Sequence, residues 1–529
     1  MKRNYLFAAT LLLGSSISTT KAVIAQAKPG EVVYQNDFEN TQNVPSPADL
    51  QAAGASLSTG RQSAHSLLVE RSSEGTSLVR LSLPVERLRG TLIQYSAFVK
   101  AQGVTPPTKP EQGTKVDIRF VTPTGEHFAG GQNRFGSSDW KPLMRFASIP
   151  ADATVVELVL GIENRMGKVW FDDIEVAIAN LPKMNPADKG HSLPRLRGAM
   201  MNTSPSAEDV RTLGKTWNAN LVRWQLKWSG TGTSYPFGPA DTAEPEAYDA
   251  WLETSLQKLD ALLPVFEESG IMVVIDLHTP PGGRIKGRMA MRMFEDKRFQ
   301  EQFVRVWEKI ARHYKDNKII WGYDMLNEPS IAKMAPDALD YRTLMTRAAQ
   351  RIREIEPDRT IILEADTGGN PRGFNSDFTP IPVPRVVYSP HMYLPLEFTH
   401  QGVDARSTGT VYPGTINGKY WGKAELRQAL QGVINFQRAY GVPMYVGEFS
   451  AIRWAPGDSA ENYLRDCIEI FEENNWDWSY HAFRESNAWS VELGNVKADT
   501  TPLITPTGRE VLLRSWLAKN QKPTFTPAR

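Results

Sequence analysis

The segment Ile319-Ile-Trp-Gly-Tyr-Asp-Met-Leu-Asn-Glu-Pro329 begins as an apolar run and ends in acidic and amide side chains. Apolar runs of this kind recur past Leu196 and alternate with amphipathic helical stretches. Such an alternation implies a parallel sheet with crossover helices. We therefore expect residues 319–327 to form a strand that carries Asn327 and Glu328 to its carboxyl end.

Eight strand candidates of this type follow one another along the chain. They are Leu196–Asn202, Leu221–Trp228, Ile271–His278, Ile319–Asn327, Thr360–Glu364, Val386–Tyr393, Met444–Phe449 and Trp476–Phe483. The helical candidates between and after them are Ala243–Glu268, Phe294–Lys315, Asp337–Ile355, Lys423–Tyr440, Ala460–Asn474 and Pro506–Lys519. This order predicts an α/β fold, a (β/α)8 TIM barrel. An open doubly wound sheet is the alternative, but it needs fewer units and usually has a Gly-rich first turn, which is not found after the first strand candidate.

Two strand candidates end in glutamate, one at Glu328 and one at Glu448 within Met444-Tyr-Val-Gly-Glu-Phe-Ser450. Loops after the strands of such a barrel meet at one face, so both carboxylates are expected at the barrel mouth. Hydrolysis of a glycosidic bond requires a facing pair, one protonated to donate to the leaving oxygen and one ionised to attack the anomeric carbon. A separation of about 5–5.5 Å gives retention of configuration, whereas a wider gap admits water and gives inversion. Mutual repulsion helps to hold one proton on the pair.

Other polar residues fall at the ends of neighbouring strand candidates, namely Arg223 in the second, His278 in the third, and His391 with Tyr393 in the sixth. An isolated Asn-Glu-Pro also arises by chance, and a strand-end glutamate can serve as a structural ion-pair partner. Core packing, however, does not require polar residues at so many strand ends. We therefore predict that the two glutamates are catalytic. For the histidines, a hydrogen-bonded structural role is the alternative.

Residues of about 195–520 resemble glycoside hydrolase family 5, the cellulase-type family of the retaining barrel clan. The matching residues are Arg223, His278, Asn327-Glu328-Pro329, His391-Met392-Tyr393 and Glu448. The resemblance implies that Glu328 is the acid/base and Glu448 the nucleophile of a double displacement. It implies a β-linked polysaccharide or oligosaccharide as substrate, either a β-glucan of the cellulose type or a mannan, and no cofactor.

The resemblance also implies roles for the neighbouring residues. Asn327 would bond the sugar 2-hydroxyl, and Tyr393 would orient the nucleophile. Arg223 would keep the nucleophile ionised, since an adjacent cation lowers the pKa of a carboxyl group. His278 and His391 would line the subsite where the bond is cut, and a neighbouring histidine is suited to relaying the proton of the acid.

One departure from the family concerns the eighth strand candidate, where a tryptophan usually forms the sugar-stacking floor. Within Trp476-Asp-Trp-Ser-Tyr-His-Ala-Phe-Arg-Glu485, His481 takes that place among the candidate substrate-binding residues. The shape of the cleavage subsite, and with it the substrate, is left open. Trp478 and Trp489 are candidates to replace the missing ring. Four further tryptophans are candidates either for sugar platforms or for packing: Trp224, Trp228, Trp421 and Trp454.

Composition and motifs exclude other classes of protein. The formal net charge is +1 over 529 residues, which gives no electrostatic case for nucleic acid or an anionic membrane as a partner. No close-spaced H-x-H or H-E-x-x-H set is present, so no catalytic metal is predicted. A G-x-S-x-G elbow is absent, and the single cysteine, Cys467, excludes an internal disulfide. The alternative function is a polysaccharide-binding protein with a weak or inactive barrel, which the presence of both glutamates disfavours.

Between about Glu31 and Ile178 the sequence has short alternating or apolar runs separated by Gly, Pro and Ser turns. This pattern is typical of an antiparallel β-sandwich. The segments Asp37–Asn40, Tyr95–Lys100 and Val169–Val176 resemble those of jelly-roll carbohydrate-binding modules. The resemblance leaves open a structural calcium between the first and last strands, with Glu39 and Asp173 as candidate ligands, against the alternative of solvated carboxylates. A spacer that packs on the barrel is the alternative to sugar binding.

The N-terminus has the pattern of a secretory signal peptide. Lys2 and Arg3 precede an apolar run from Leu6 to Leu13, and Ala25-Gln26-Ala27 predicts cleavage after Ala27. The run is too short to span a bilayer. We therefore expect a secreted or periplasmic protein. We also expect a monomer. The expected organisation is a signal peptide at 1–27, a β-sandwich at 28–180, a linker at 181–194 and a catalytic barrel at 195–529.

Overall fold

The computed structural model describes residues 28–40, 45–107, 112–130, 135–179, 190–228, 245–285, 289–335, 338–375, 378, 380–403 and 405–525. The predicted signal peptide lies outside the described residues, as do residues 181–189 of the predicted linker. The described chain forms an antiparallel sheet with strands up to Ile178 and a parallel sheet from Arg197 onward. The change from one sheet to the other falls where the sequence changes its periodicity.

The antiparallel sheet is organised by one long strand. Its described strands are β1 (Val32–Asn36), β2 (Ala55–Ser58), β3 (Ser66–Ser82), β4 (Leu92–Val104), β5 (Gly113–Thr122), β6 (Gly125–Ala129), β7 (Gly136–Ser148) and β8 (Val155–Ile178), with short helices α1 (Pro47–Ala52) and α2 (Val85–Leu88). Strand β8 pairs with β1, β3, β4 and β5 along its length. Every second residue of β4 from Ile93 to Ala101 is buried, the alternation expected of a strand with one face in a core. The sheet is consistent with the predicted sandwich, and the resemblance to a carbohydrate-binding module stays a prediction.

The parallel sheet is the predicted barrel. Its described strands are β9 (Arg197–Met201), β10 (Leu221–Gln225), β11 (Met272–Asp276), β12 (Ile320–Asp324), β13 (Thr360–Glu364), β14 (Val386–Ser389), β15 (His391–Met392), β18 (Tyr445–Val446), β19 (Glu448–Phe449) and β20 (Asp477–Phe483), while β16 (Gly414–Ile416) and β17 (Lys419–Trp421) form a separate hairpin. Neighbours follow the order β14-β13-β12-β11-β10-β9-β20-β18. A parallel bridge from Tyr388 to Met444 and the pairing of β15 with β19 join the two ends. All eight strand positions predicted from the sequence are therefore confirmed.

The interior of the barrel is layered, with apolar side chains below and charged ones above. Leu221, Val274 and Ile362 belong to a buried apolar cluster at the lower level. Side chains two residues apart on a strand point to the same face. The residues two positions further along these strands are Arg223, Asp276 and Glu364, which are also buried. The strand pleat thus places three charged groups at one level, toward the carboxyl ends of the strands.

Most helices agree with the sequence pattern. The described helices of this part are α3 (Ala207–Arg211), α4 (Pro245–Glu268), α5 (Lys297–His313), α6 (Tyr341–Ile355), α7 (Leu396–Thr399), α8 (Lys423–Ala429), α9 (Gln431–Tyr440), α10 (Ser459–Glu473) and α11 (Gly508–Leu517). Helix α5 begins after Asp296, whose side chain accepts from the N–H of Arg298, and it buries Phe303, Val306, Trp307 and Ile310 on one face. No helix of the described chain is long and apolar enough to cross a membrane.

The sequence pattern was incomplete at two places in the helical layer, and it places no helix after β13. Helix α3 follows β9, where no helix is predicted, because five residues are too few to show helical periodicity. The predicted helix Lys423–Tyr440 is two helices, α8 and α9, which meet at Leu430. After β13 the described chain has a short 3-10 turn at Pro371–Asn375 in place of a long crossover helix.

The apolar layer inside the barrel predicts a stability effect. Ile362→Ala removes a fully buried side chain and should lower the free energy of unfolding by about 2–5 kcal/mol. The matched control is Val511→Ala, at a residue that is 56% exposed, where little change is expected. Thermal unfolding of both variants measures the difference. Equal unfolding midpoints would contradict the layered interior.

Candidate active site

One arginine lies at the centre of the barrel mouth. Arg223 of β10 is fully buried, and its guanidinium contacts one carboxylate from each of four other strands. The contacts are Nε to Asp324 Oδ2 at 2.8 Å, Nη2 to Asp276 Oδ1 at 3.1 Å, Nη2 to Glu364 Oε1 at 3.0 Å and Nη1 to Glu448 Oε1 at 2.7 Å. A buried guanidinium needs such partners because its N–H groups have lost their hydrogen bonds to water. Arg223 therefore links β10 to β11, β12, β13 and β19.

Both oxygens of Glu448 accept hydrogen bonds from fixed donors. Oε1 accepts from Arg223 at 2.7 Å, and Oε2 accepts from the Tyr393 hydroxyl at 2.9 Å. Burial raises the pKa of the Glu448 carboxyl, but the positive charges of His391, His481 and Arg223 outweigh burial and hold that pKa well below its usual value. Glu448 is thus ionised and fixed in orientation, as a carboxylate nucleophile must be.

Glu328 follows β12 in a left-handed backbone conformation, with φ of 45°. Its N–H donates to Glu364 Oε2 at 2.9 Å, and its carbonyl oxygen accepts from Arg284 at 3.2 Å. These bonds hold a conformation that is uncommon for a residue with a side chain. The Glu328 side chain is 18% exposed and that of Glu448 is 6% exposed, so Glu328 is the more open of the two.

The two glutamates lie across a gap that matches one glycosidic bond. One oxygen of Glu328, one oxygen of Glu448 and one ring nitrogen of His391 all lie within 4.8 Å of one another. The oxygen separation fits the pair at about 5–5.5 Å that gives retention, rather than the wider pair that gives inversion. Three such atoms also have a spacing that suits a metal ion. Because Arg223 and Tyr393 already donate to the Glu448 oxygens, we interpret the cluster as a carboxylate pair.

His391 is the cation between the two glutamates. Its Nδ1 lies 3.1 Å from Glu328 Oε1 and its Nε2 lies 3.1 Å from Glu364 Oε1. Burial lowers the pKa of the imidazole, but Glu364, Glu448 and Glu328 outweigh burial and hold the pKa well above its usual value. Burial and the charge of Glu448 raise the pKa of Glu328, but the hydrogen bond and charge of His391, together with the charge of Arg284, outweigh them and lower that pKa. The pKa of Glu448 is depressed further, so a proton added to the pair goes to Glu328.

His278 and Asn327 lie together beside the arginine. Asn327 Oδ1 accepts from Arg223 at 3.0 Å, which turns the Asn327 amide nitrogen toward His278 Nε2 at 3.5 Å. His278 Nδ1 lies 2.8 Å from Asp276 Oδ2. Burial, with the charges of Lys227 and Arg223, lowers the pKa of His278 to about 3, so the ring is neutral. A neutral His278 ring has one donor and one acceptor nitrogen, with Asp276 beside Nδ1 and Asn327 beside Nε2.

Strand β20 brings His481 into the same group. His481 Nδ1 lies 2.6 Å from the Tyr393 hydroxyl, and Nε2 lies 3.1 Å from Glu485 Oε2. The ring of Trp489 lies 5.8 Å from that of His481 but is only 8% exposed. Trp478 is fully buried in the core, so the idea that it replaces the missing sugar floor is wrong.

The other candidate platforms divide into two pairs. Trp224 and Trp421 are buried, which favours the packing role. Trp228 is half-buried and stacks on Trp251 at 5.3 Å, and Trp454 is half-buried with its N–H donating to the Gln401 carbonyl. These last two remain candidates for sugar contacts.

The structure brings together every predicted site residue, which are Arg223, His278, Asn327, Glu328, His391, Tyr393, Glu448 and His481. The sequence analysis missed the carboxylates of Asp276, Asp324 and Glu364, which surround Arg223. A signal was present, since all three stand in the last residues of predicted strands. The sequence does not show that these three acids share one cation, because it does not state which strand ends meet.

The candidate calcium ligands of the antiparallel sheet each contact a basic residue. Asp173 Oδ2 lies 2.8 Å from Arg61 Nη2, and Glu39 Oε2 lies 3.3 Å from His65 Nδ1. Within the described residues, the cluster that could hold a metal ion is the one at Glu328, His391 and Glu448. A structural calcium stays a prediction that these contacts do not favour.

A family model matches more than half of this chain. The model of the family described as cellulase, glycosyl hydrolase family 5, matches residues 184–487. Endoglucanase C of Acetivibrio thermocellus is 26% identical over 246 residues, covering 42% of this chain and 70% of that protein. Beta-xylosidase of Phanerodontia chrysosporium is 27% identical over 282 residues, covering 50% and 54%. A solved structure of Thermotoga maritima Cel5A in complex with cellobiose has a TM-score of 0.45 at 20% identity, covering 60% of this chain and 97% of that one.

The crowding of acids around Arg223 predicts a pH effect on stability. Burial raises the pKa of Asp276 from 3.8 to about 8 against the opposing charge of Arg223. Between pH 3.8 and about 8, Asp276 is therefore ionised in the unfolded chain and binds a proton when the chain folds. The stability of the native chain should therefore fall with rising pH in this window, by about 1.4 kcal/mol per pH unit from this group. Asp276→Asn cannot ionise, so its stability relative to the native chain should rise with pH up to about 8 and then level off. Urea unfolding at several pH values within this range measures the free energy of unfolding of each protein, with the exposed Asp458→Asn as control. Parallel pH profiles for Asp276→Asn and the native chain would contradict a protonated Asp276.

Proposed function

Since this chain belongs to glycosyl hydrolase family 5 and is a glycoside hydrolase, we propose that it cleaves a β-linked glucan with retention of configuration. Glu448 is the nucleophile and Glu328 the acid/base of this proposal. The observation that carries it is the pair of carboxylates within 4.8 Å in unlike surroundings. One acid has both oxygens hydrogen-bonded, one of them to a cation, and the other acid has a more open position, which is the asymmetry that the two roles need.

In the first step, one oxygen of Glu448 attacks the anomeric carbon. A bond forms between that oxygen and the carbon while the bond to the leaving oxygen breaks. His391 shares a hydrogen bond with Glu328 and supplies it with a proton. Glu328 delivers this proton to the leaving oxygen, so that the released chain departs as an alcohol.

In the second step, water attacks the glycosyl–enzyme ester. Glu328, now ionised, takes a proton from the water, and the bond to Glu448 breaks with the electron pair returning to the carboxylate. Arg223 and Tyr393 stabilise that charge as it reappears. Asn327 is placed for a hydrogen bond to the 2-hydroxyl through its amide nitrogen, because Arg223 already occupies its oxygen. These steps use only side chains and water.

The substrate is proposed from the names of the relatives. Endoglucanase C and cellodextrinase A of Ruminococcus flavefaciens carry names that imply β-glucan substrates, which favours a β-glucan for this chain. Mannan is the second candidate, because the departure at His481 of β20 leaves the shape of the cleavage subsite open. A sugar-binding protein with an inactive barrel is the alternative, and the paired glutamates oppose it.

Two variants test the assigned roles. Glu328→Gln and Glu448→Gly should each lower kcat by about 10²–10⁴-fold on a defined β-linked oligosaccharide, measured by reducing-sugar release. Azide should restore turnover in Glu448→Gly by entering the vacated space, with a glycosyl azide as product. The exposed Glu397→Gln is the matched control and should retain activity. Full activity in either active-site variant would contradict the assignment, and a native chain that binds glucan without cleaving it would support the binding alternative.

We further propose that the chain is exported as a monomer after cleavage of residues 1–27. The support for export is the basic, apolar and small-residue order of that segment. Expression of the full chain in a bacterium should give a periplasmic or secreted protein whose first residue is Lys28, as measured by mass spectrometry. An intact Met1 on a cytosolic protein would contradict export, and a dimer on size-exclusion chromatography would contradict the monomer.

A further inference from the structure

A chain of polar contacts runs from the surface of the barrel mouth to the nucleophile. Lys227 Nζ lies 3.3 Å from Glu485 Oε1, and Glu485 Oε2 lies 3.1 Å from His481 Nε2. His481 Nδ1 lies 2.6 Å from the Tyr393 hydroxyl, which lies 2.9 Å from Glu448 Oε2. The side chains of Lys227, Glu485 and His481 are mostly buried, so water screens these contacts only weakly.

The hydrogens available to these contacts determine the protonation state of His481. The Tyr393 hydroxyl has one hydrogen, and the ionised Glu448 can only accept, so that hydrogen points to Glu448. The contact between the Tyr393 oxygen and His481 Nδ1 then needs a hydrogen on Nδ1. Glu485 is also an acceptor, which requires a hydrogen on Nε2. Both ring nitrogens therefore carry a proton, and His481 is an imidazolium.

The charges that face His481 support this state. Glu485 from the loop after β20 and Glu448 from β19 are negative, and His481 Nδ1 is 3.8 Å from Glu448 Oε2. Lys227, beyond β10, opposes the proton on His481, and His391 of β15 is a second cation beside Glu448. His278 beyond β11 is neutral, and Tyr393 and Trp489 are uncharged. Burial lowers the pKa of His481, and the two glutamates raise it by more. Burial raises the pKa of Glu485, but His481 and Lys227 lower it to about 2.

We propose that His481, kept protonated by Glu485, is a positioning residue that commits the Tyr393 hydroxyl to the nucleophile. The inference rests on the proposed role of Glu448. A neutral His481 has an acceptor at Nδ1 or Nε2. With the acceptor at Nδ1, the ring competes with Glu448 for the one hydrogen of Tyr393. When His481 loses its proton, Glu448 loses the committed donor hydroxyl of Tyr393 and a nearby positive charge. The Glu448 carboxylate is then less well fixed as a nucleophile.

The sign of the pH effect follows from the raised pKa of His481. The imidazolium is present below that pKa and is lost as the pH rises through it. The reactivity of Glu448 should therefore have an alkaline limit set by His481. Glu485→Gln keeps the size of the side chain but removes its negative charge, so it lowers the pKa of His481 and moves that limit to lower pH.

The test follows the rate at which a 2,4-dinitrophenyl 2-deoxy-2-fluoro-β-cellobioside inactivates the enzyme. Its leaving group needs no acid, so the pH profile of inactivation reports on the nucleophile and not on Glu328. Glu485→Gln should move the alkaline limb down by about one pH unit and leave the rate on the acid side within about twofold. The matched control is Glu492→Gln in the same loop, where the glutamate pairs with Arg484 and lies outside the chain of contacts.

Two further measurements keep the outcome decisive. In a Tyr393→Phe background, Glu485→Gln should shift the limb by less than in the native chain, because the hydroxyl is gone and only the charge of His481 still acts on Glu448. Nitrogen NMR of the native enzyme should find both ring nitrogens of His481 protonated at neutral pH. An unmoved limb in Glu485→Gln, a full shift without the tyrosine hydroxyl, or a neutral His481 would each overturn the proposal. Failure of the native enzyme to be inactivated at all would instead count against the proposed function, and the NMR result would still test His481.

Discussion

The contact between Arg223 and four carboxylates is the interaction on which the barrel mouth depends. It joins Asp276, Asp324, Glu364 and Glu448, which come from separate strands, through one guanidinium that is shielded from water. Breaking a buried pair by removing one partner typically costs about 3–5 kcal/mol, because the other charge stays buried without compensation. The position of the nucleophile is thus fixed by the same contact that holds the strand ends together.

The two catalytic candidates both stand at strand ends, but this arrangement gives them unlike surroundings. Glu448 lies among cations and accepts from Arg223 and Tyr393, whereas Glu328 has His391 at one oxygen and a backbone held by Glu364. The surplus of acids over cations means that the barrel mouth keeps protons at neutral pH, and burial assigns one of them to Asp276. The site therefore works as one coupled charge cluster rather than as two independent carboxylates.

The fold and the central residues were predictable because the strand pattern carries them. The apolar runs located all eight barrel strands, and their polar ends located Glu328, Glu448 and the residues around them. The partners of Arg223 were not predicted, since a sequence does not state which strand-end carboxylates share one cation. The link from His481 to Glu485 was also beyond the sequence, because it depends on how the loop after β20 folds back. Of the two candidates for the sugar floor, Trp478 is excluded because the strand pleat points its side chain into the core.

The central claim is that two carboxylates act across one linkage in a double displacement. Proton NMR of the first sugar released from a β-linked oligosaccharide, recorded before mutarotation, tests it most directly. The separation within 4.8 Å predicts that the new reducing end appears first as the β anomer. Initial release of the α anomer would mean that water enters directly between the glutamates, and it would contradict the account.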